Sequence, residues 1–525
     1  MTRTLAQEVA RQMADAGVER LFGVPGGGSS LQLIEAAEEA AIPFVLAKTE
    51  TGAAIMAAVT GELSGAPGAL LTGVGPGAAS AVNGIAYAHL ERAPVVLFCD
   101  GPAASLHQAF DQNALYQPIS KLQGRLTPEN GASFFAEGLM ATLTHPRGTV
   151  QFDLTATDAK TPIRAGAVTP AVTADPPTTD TGWTDLITKA RKPAIIAGLE
   201  TRSPECAAAL ANLANRLCCP ILTTYRAKGV LPDEHPMMIG HFTGATLEGR
   251  ILHQADLIVC IGFDPVEMIP GAWPYQAPVL ELRAAAGANL PFAPKLSLAG
   301  ALDSLIDSIP EPAALSHWNR ETIADLKAGH LDALRLSGSG HTADSVMSQL
   351  KELAHPSTRL TVDAGAHMVS AMALWAASEV NGVLKSNGLS TMGYAVPAAI
   401  ASALHEPARP VIAVTGDGGM LMALAELATA SELGCNMTVI VLNDAALSLI
   451  DLKQQNLQMA SKGVRYDATD FARTAEGLGC AGLRVGPHDE LADVLREALT
   501  VEGPCVVDVS VDPSGYRDQL AALRG

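Results

Sequence analysis

Short, continuous apolar runs alternate with longer Ala-rich stretches of helical periodicity along almost the whole chain. In the first third, LFGV, PFVLA, GALLTGV and PVVLFCD alternate with stretches that predict helices beginning near Thr4, Ser29, Glu50 and Ala78. A second series carries PAIIAG, CPILTT, LIVCIG and PVLEL, and a third carries RLTVDAG, PVIAVTGDG, MTVIVLND and CVVDVSV. Strands that are apolar on both faces and separated by helices predict parallel sheets covered on both sides. Between the first two series, the Pro/Thr-rich stretch AGAVTPAVTADPPTTDTGW, from Ala165, reads as a linker. After Ile309 a polar helical segment runs to Ser337-Gly338-Ser339-Gly340, a second linker. The expected fold class is therefore α/β, with three doubly wound parallel-sheet domains over residues 1–165, 183–330 and 341–525. The outer two share a strand–helix rhythm.

Length agrees: 525 residues correspond to about three domains of ~150 residues. A hydrophobic content of 48% excludes a disordered chain. A formal charge of −19 leaves no basic excess to neutralise phosphates, which argues against a nucleic-acid partner. No apolar run reaches the ~18 residues of a membrane span, and MTRTLAQEVARQMADAG reads as an amphipathic helix rather than a secretory signal. The eight cysteines form no CxxC pair and mostly sit in apolar runs, as small core hydrophobes in a reducing compartment do. A cytoplasmic location is expected. The thirteen histidines show no metal-ligand spacing, which makes zinc unlikely as a partner.

The chemistry concentrates in PVIAVTGDGGMLMALAELATASELGCNMTVIVLNDAALSLIDLKQ, residues 410–454. It reads as strand, glycine-rich turn, a helix over Met420 to Leu433, strand, and polar loop. Gly416, Gly418 and Gly419 let backbone approach a ligand closely, and the helix start favours a phosphate or diphosphate. Asp417 lies in the turn, and Asn443-Asp444 ends the next strand. Adjacent parallel strands bring both carboxylates to the edge where ligands bind. Two such oxygens plus diphosphate oxygens suit Mg²⁺, which takes few protein ligands.

A GDG turn followed by a helix and a strand ending in Asn-Asn or Asn-Asp resembles the thiamine-diphosphate enzymes of the acetolactate synthase, benzoylformate decarboxylase and benzaldehyde lyase superfamily. The 27 positions between Asp417 and Asp444 match that family's metal-binding pair. The resemblance implies Mg²⁺ held by Asp417, Asp444 and the carbonyl of Ala446, with Asp444 where most members carry Asn. It implies Glu50, in PFVLAKTETGAAIMA, as the acid that protonates the cofactor's aminopyrimidine ring, with Thr49 replacing the usual His. In NGLSTMGYAVPAAI, Met392 matches the residue that wedges the cofactor into a bent shape. The Ser390 carbonyl matches the aminopyrimidine acceptor. DAGAHM resembles the second diphosphate loop and makes Ala366 and His367 phosphate contacts. GVPGGGSS and GVGPGAAS match loops around the pyrimidine, with Pro25, Gly26 and Ser80 as contacts, and Leu447 joins the cofactor set.

The same resemblance bears on the reaction. SLHQAFDQNALYQPISK resembles the substrate loop of acetolactate synthases and benzaldehyde-lyase-like enzymes. Gln108 is the candidate hydrogen-bond donor to a substrate carbonyl or hydroxyl. His107 is either a proton shuttle or a loop histidine, and Asp111 matches an acidic position. Ile450 stands where pyruvate decarboxylases carry a catalytic Glu, and Gly73 where benzoylformate decarboxylases carry His, which disfavours simple decarboxylation. Lys453 replaces the Trp that selects substrate in biosynthetic synthases, and either pairs with an anionic substrate or points to solvent. IGFDPVEMIPGAW resembles the FAD-independent catabolic synthases, so no FAD is expected. The expectation is C–C bond cleavage or formation next to a carbonyl of a 2-oxo acid or 2-hydroxy ketone. The alternatives are a 2-oxo-acid decarboxylase or a non-catalytic homologue that binds cofactor. A homodimer or homotetramer with inter-subunit active sites is implied.

Overall fold

The computed structural model describes residues 2–102, 107–164, 182–287, 290–311 and 316–525. Most of the expected first linker, residues 165–181, lies outside them. The fold class is α/β, built on three six-stranded sheets in which every pairing is parallel. The first sheet runs, in spatial order, Phe44–Leu46, Leu21–Val24, Gly68–Thr72, Val95–Asp100, Thr149–Leu154 and Leu122–Arg125. The third runs Val383–Lys385, Arg359–Val362, Val411–Gly416, Met437–Asn443, Pro504–Ser510 and Ala481–Val485. The two orders are identical once strands are counted within each sheet, which gives the shared rhythm a structural meaning. The central sheet is wound differently: Met238–His241, Ile221–Thr223, Pro193–Ala197, Leu257–Ile261, Val279–Arg283 and Leu296–Ala299.

In each outer sheet the chain steps outward once from its first strand and then crosses to that strand's other side. That reversal opens a crevice at the carboxyl ends of the two flanking strands, where α/β sheets bind ligands. In the first sheet the segments leaving these strands are GVPGGGSS and GVGPGAAS; in the third they are DAGAHM and GDGG. The candidate residues of both halves therefore emerge at switch points.

Helix Glu50–Ser64 of the first unit packs against helix Ala395–His405 of the third, and one hydrophobic core runs through both. Both helices are Ala-rich and buried almost all round, the pattern of a helix enclosed on every side. The Tyr87 and Tyr394 hydroxyls meet at 3.3 Å in this contact. A buried ion cluster ties in the central unit: Arg226 pairs with Glu62 at 2.6 Å and Glu91 at 3.0 Å. Burial opposes the charge on Arg226, but the two carboxylates outweigh it and raise its pKa. All eight cysteines are unpaired, seven of them buried. Among the described residues no helix is long and apolar enough to cross a membrane.

Candidate functional site

Asp417 does not sit in a free turn. It is the first residue of helix Asp417–Ala423, and the helix expected over Met420 to Leu433 is in fact two, the second being Glu426–Glu432. The helix therefore begins immediately after the strand, with Gly416 as its extended cap. The Asp417 carboxylate accepts from the N–H of Gly418 at 2.8 Å and of Ala446 at 3.2 Å, which draws the following strand's loop onto the helix start. Asp444 accepts from Ser448 Oγ at 2.5 Å, whereas its neighbour Asn443 is structural, bonded to Thr469 and Asp508. Ala445, at φ +54°, turns the backbone between Asp444 and Ala446, and an antiparallel bridge to Arg465 holds Ala446.

The electrostatics of the pair fit a cation. Burial and the charge of Asp417 push the Asp444 carboxyl up to about 6, and burial raises Asp417 as well, against its two N–H bonds. Two such hard oxygens, with no ion-pair partner among the described residues, form the donor set a divalent ion prefers. Against Gly416, His367 is buried, its Nε2 without a hydrogen-bond partner among the described residues. Burial and the Lys385 charge lower it to about 4, so its imidazole is neutral at pH 7. An orphaned buried ring nitrogen against the strand end that leads into Asp417 fits a polar group bound in the crevice. Gly418 forms its floor: a Cβ there would lie 2.7 Å from Leu447 Cδ2, 3.1 Å from the Tyr466 hydroxyl and 3.2 Å from Met392 Cε. Gly418, Leu447 and Met392 are thus brought together. Tyr466, which faces Asp417 and Asp444, was not legible in any motif. Ala366 is buried, and Ser390 is exposed with φ +51°.

In the first unit, buried Asp100 organises the glycine loop. It accepts from Gly28 N–H at 3.0 Å, Ser29 Oγ at 2.8 Å, Ser30 N–H at 2.7 Å and Ser30 Oγ at 2.8 Å. A Cβ on Gly26 would lie 2.3 Å from Asp100 Oδ2 and 2.8 Å from the Gly73 Cα, so the two glycine loops touch at backbone distance. Pro25 and Ser80 stand exposed at their edges. Gly75, at φ +64°, lies against the Gln108 carbonyl, where any side chain would collide. His107 and Gln108 are exposed, and Asp111 caps helix Gln112–Tyr116 through Ala114 N–H. The buried polar anchor of that loop is Gln112. It accepts from Gly75 N–H and donates to the Asp100 carbonyl and to Asp153.

Glu50 opens helix Glu50–Ser64 and points toward Gly77 of the second glycine loop. Thr49, where His was expected from the resemblance, is the N-cap: its Oγ accepts from Gly52 N–H at 3.0 Å. Glu426, from the third unit, accepts from Thr49 N–H, Thr49 Oγ and Lys48 N–H, and so fixes the helix start from outside. Among the described residues no hydrogen bond or ion pair joins Glu50 to Asp417 or Asp444. Ile450 and Lys453 lie on an exposed stretch of helix Ser448–Asn456.

The crevice at the third unit's switch point, with two carboxylates, a glycine floor and a neutral buried histidine, places the chain among the α/β proteins that bind a ligand where the strand order reverses. Family comparison specifies which. The thiamine pyrophosphate enzyme N-terminal TPP binding domain matches residues 3–123, the central domain 182–283, and the C-terminal TPP binding domain 363–509. The chain belongs to the thiamine pyrophosphate enzyme family. It is 29% identical to an acetolactate synthase of Bacillus subtilis, over 98% of this chain and 94% of that one. It is 27% identical to a catabolic acetolactate synthase of Raoultella terrigena, over 98% and 95%. It is also 27% identical to a probable 2-ketoarginine decarboxylase of Pseudomonas aeruginosa, over 97% and 94%.

Proposed function

We propose that this chain is a thiamine-diphosphate- and Mg²⁺-dependent enzyme that cleaves or forms a C–C bond next to the carbonyl of a 2-oxo acid or 2-hydroxy ketone, in the manner of acetolactate synthases. The observation that carries the reading is the convergence of Asp417, Asp444 and the Ala446 backbone at one switch point, over the Gly418 floor and against Met392. When bound, thiamine diphosphate supplies a nucleophilic carbon and an electron sink for the bond beside the carbonyl. Asp417, Asp444 and the Ala446 carbonyl hold the ion. Ala366, His367, Gly416, Gly418 and Gly419 line the diphosphate. Pro25, Gly26 and Ser80 border the pyrimidine, Ser390 offers its carbonyl, and Met392 with Leu447 shapes the bend. Glu50 holds the proton that the aminopyrimidine requires. Gln108, exposed on its loop, orients the substrate, and His107 beside it is placed to relay a proton.

A site completed by a second copy, in a homodimer or homotetramer, is part of the reading. Exposed apolar residues on the third unit, Leu421, Met422, Ile450, Leu457 and Met459, support the same assembly. No flavin is part of the proposal. Eight unpaired cysteines support a reducing, cytoplasmic setting. The likeness to a 2-ketoarginine decarboxylase favours a second reading, release of an aldehyde after decarboxylation. The test is apo-protein reconstitution with thiamine diphosphate and Mg²⁺, followed by mass spectrometry of products from a panel of 2-oxo acids and acyloins. A new C–C bond supports the carboligase, and an aldehyde alone supports the decarboxylase. An unchanged melting temperature at saturating cofactor refutes both.

A further inference from the structure

The segment that carries Ser390 and Met392 is suspended between two buried carboxylates from different units. At its start, Glu91 Oε1 accepts from the N–H of Asn387 at 2.5 Å and of Gly388 at 2.7 Å. At its end, Asp363 accepts from the N–H of Gly393 at 3.0 Å and of Tyr394 at 3.3 Å. Asp363 also takes the N–H of Ala364 and the hydroxyl of Thr415, which join the other two crevice segments to the same group. The four residues Leu389–Met392 lie between these clamps, with Thr391 held in addition by Ser386 Oγ and by the Asn83 side chain of the first unit. Ser390 among them sits at φ +51°, a conformation that persists for a non-glycine residue only when its surroundings over-determine it. Glu91 is in turn held by Arg226 at 3.0 Å, and Arg226 donates to the Lys385 carbonyl at 2.8 Å, just ahead of the segment. The first unit contributes Glu91, the central unit Arg226, and the third the segment itself.

We propose that Glu91 and Asp363 are positioning residues that set the height and angle of Met392 in the crevice, so that docking of the three units, not the third alone, fixes the bend of the cofactor. This rests on the proposed role of Met392. Glu91 bonds neither the carboxylate pair nor the segments that carry the diphosphate contacts, so the diphosphate end is expected to bind normally without it, whereas Asp363 also holds those segments through Ala364 and Thr415. A carboxylate accepting two backbone N–H groups is a charge-assisted clamp. Loss of Glu91 is expected to free the segment while leaving the anchor in place.

The test uses the full chain in two states. Without cofactor, amide hydrogen exchange across residues 386–394 is expected to accelerate by about tenfold or more in Glu91→Ala, since losing even one of its two charged hydrogen bonds has that effect. Glu91→Gln, which keeps an acceptor oxygen and the side-chain shape, should fold whatever becomes of the alanine variant and show about a threefold effect. Asp363→Asn should loosen the other end comparably. With thiamine diphosphate and Mg²⁺ bound, the Glu91 variants are expected to keep the cofactor's dissociation constant within about threefold while proton exchange at its thiazolium C2 slows about tenfold. Unchanged amide exchange in both Glu91→Gln and Asp363→Asn overturns the clamp. Loosened amides with normal C2 exchange overturn its role in positioning. A wild-type chain that binds no thiamine diphosphate overturns the proposed function and this inference together. A wild type that binds and exchanges normally, matched by every variant, overturns this inference alone.

Discussion

Glu426 is 1% exposed and accepts from Thr49 N–H at 2.9 Å, Thr49 Oγ at 2.8 Å, Lys48 N–H at 3.3 Å and Thr429 Oγ at 2.8 Å. Replacing it with Ala leaves the two backbone donors without an acceptor. The hydroxyls can rotate to other partners, but the N–H groups cannot. At about 1–3 kcal/mol for each abandoned donor, the expected loss is about 3–4 kcal/mol. For units of this size that lowers the melting temperature by roughly 6–16 °C. Glu426→Gln keeps one oxygen toward Thr49 and lets Thr429 reverse its role, so about 1 kcal/mol is expected. Thr49→Ala removes the N-cap bond to Gly52, worth about 1 kcal/mol by itself. Because Glu426 and Thr49 share a hydrogen bond, their double variant should be less destabilised than the sum by about 1 kcal/mol or more. Scanning calorimetry of the four proteins without cofactor measures all of this. A Glu426→Ala variant melting within about 2 °C of wild type, or strict additivity with Thr49→Ala, refutes the view that the third unit fixes the start of the Glu50 helix.

Three further outcomes follow from the same geometry. Glu50→Gln should bind thiamine diphosphate with wild-type affinity but lose thiazolium C2 proton exchange, as followed by NMR in deuterated buffer; normal exchange would refute the role given to Glu50. Gly26→Ala drives a Cβ to 2.8 Å from the Gly73 Cα, a backbone collision that side-chain rotation cannot relieve. It should cost about 2 kcal/mol or more in urea unfolding, and a neutral effect counts against the backbone contact between the loops. Asp444, raised to about 6 in the folded chain, binds its proton more tightly there than when unfolded. The metal-free protein is therefore favoured below pH ~4 and loses on the order of 2 kcal/mol as pH rises through about 6. Asp444→Asn should flatten that part of the profile, and an identical pH dependence in both proteins would rule the linkage out.

The sheets were legible because their central strands are unbroken apolar runs. GALLT, VVLFC, VIAVT and TVIVL permit few other readings. The strands that escaped notice are mostly edges: LQGR at Leu122–Arg125, MIGH at Met238–His241, LSLA at Leu296–Ala299, VLK at Val383–Lys385 and AGLRV at Ala481–Val485. These strands are short or carry polar residues and glycine, Lys385 and His241 being buried all the same, so no unbroken apolar run marks them. TVQFDL at Thr149–Leu154 is interior, but Gln151 and Asp153 break its apolar run because Asp153 receives Gln112. The carboxylate pair was legible from its spacing and glycines. Asp100, Gln112, Glu91, Asp363 and Glu426 were not, because each acts through backbone groups far away in sequence. Asp100 bonds a loop some 70 positions earlier, and Glu426 a helix start 377 positions earlier. No local pattern encodes a partner at that distance. Thr49 illustrates the same limit: as a departure from a family motif it looked anomalous, and as an N-cap bonded to Glu426 it is well placed.

The proposed enzyme stands or falls on the carboxylate-held cation, and isothermal titration of thiamine diphosphate into the cofactor-free chain examines that cation directly. With Mg²⁺ present, saturable binding at about one cofactor per chain is expected, lost on addition of a chelator and severely weakened in Asp417→Asn. Equal binding with and without the divalent ion, or in wild type and Asp417→Asn alike, would contradict the account.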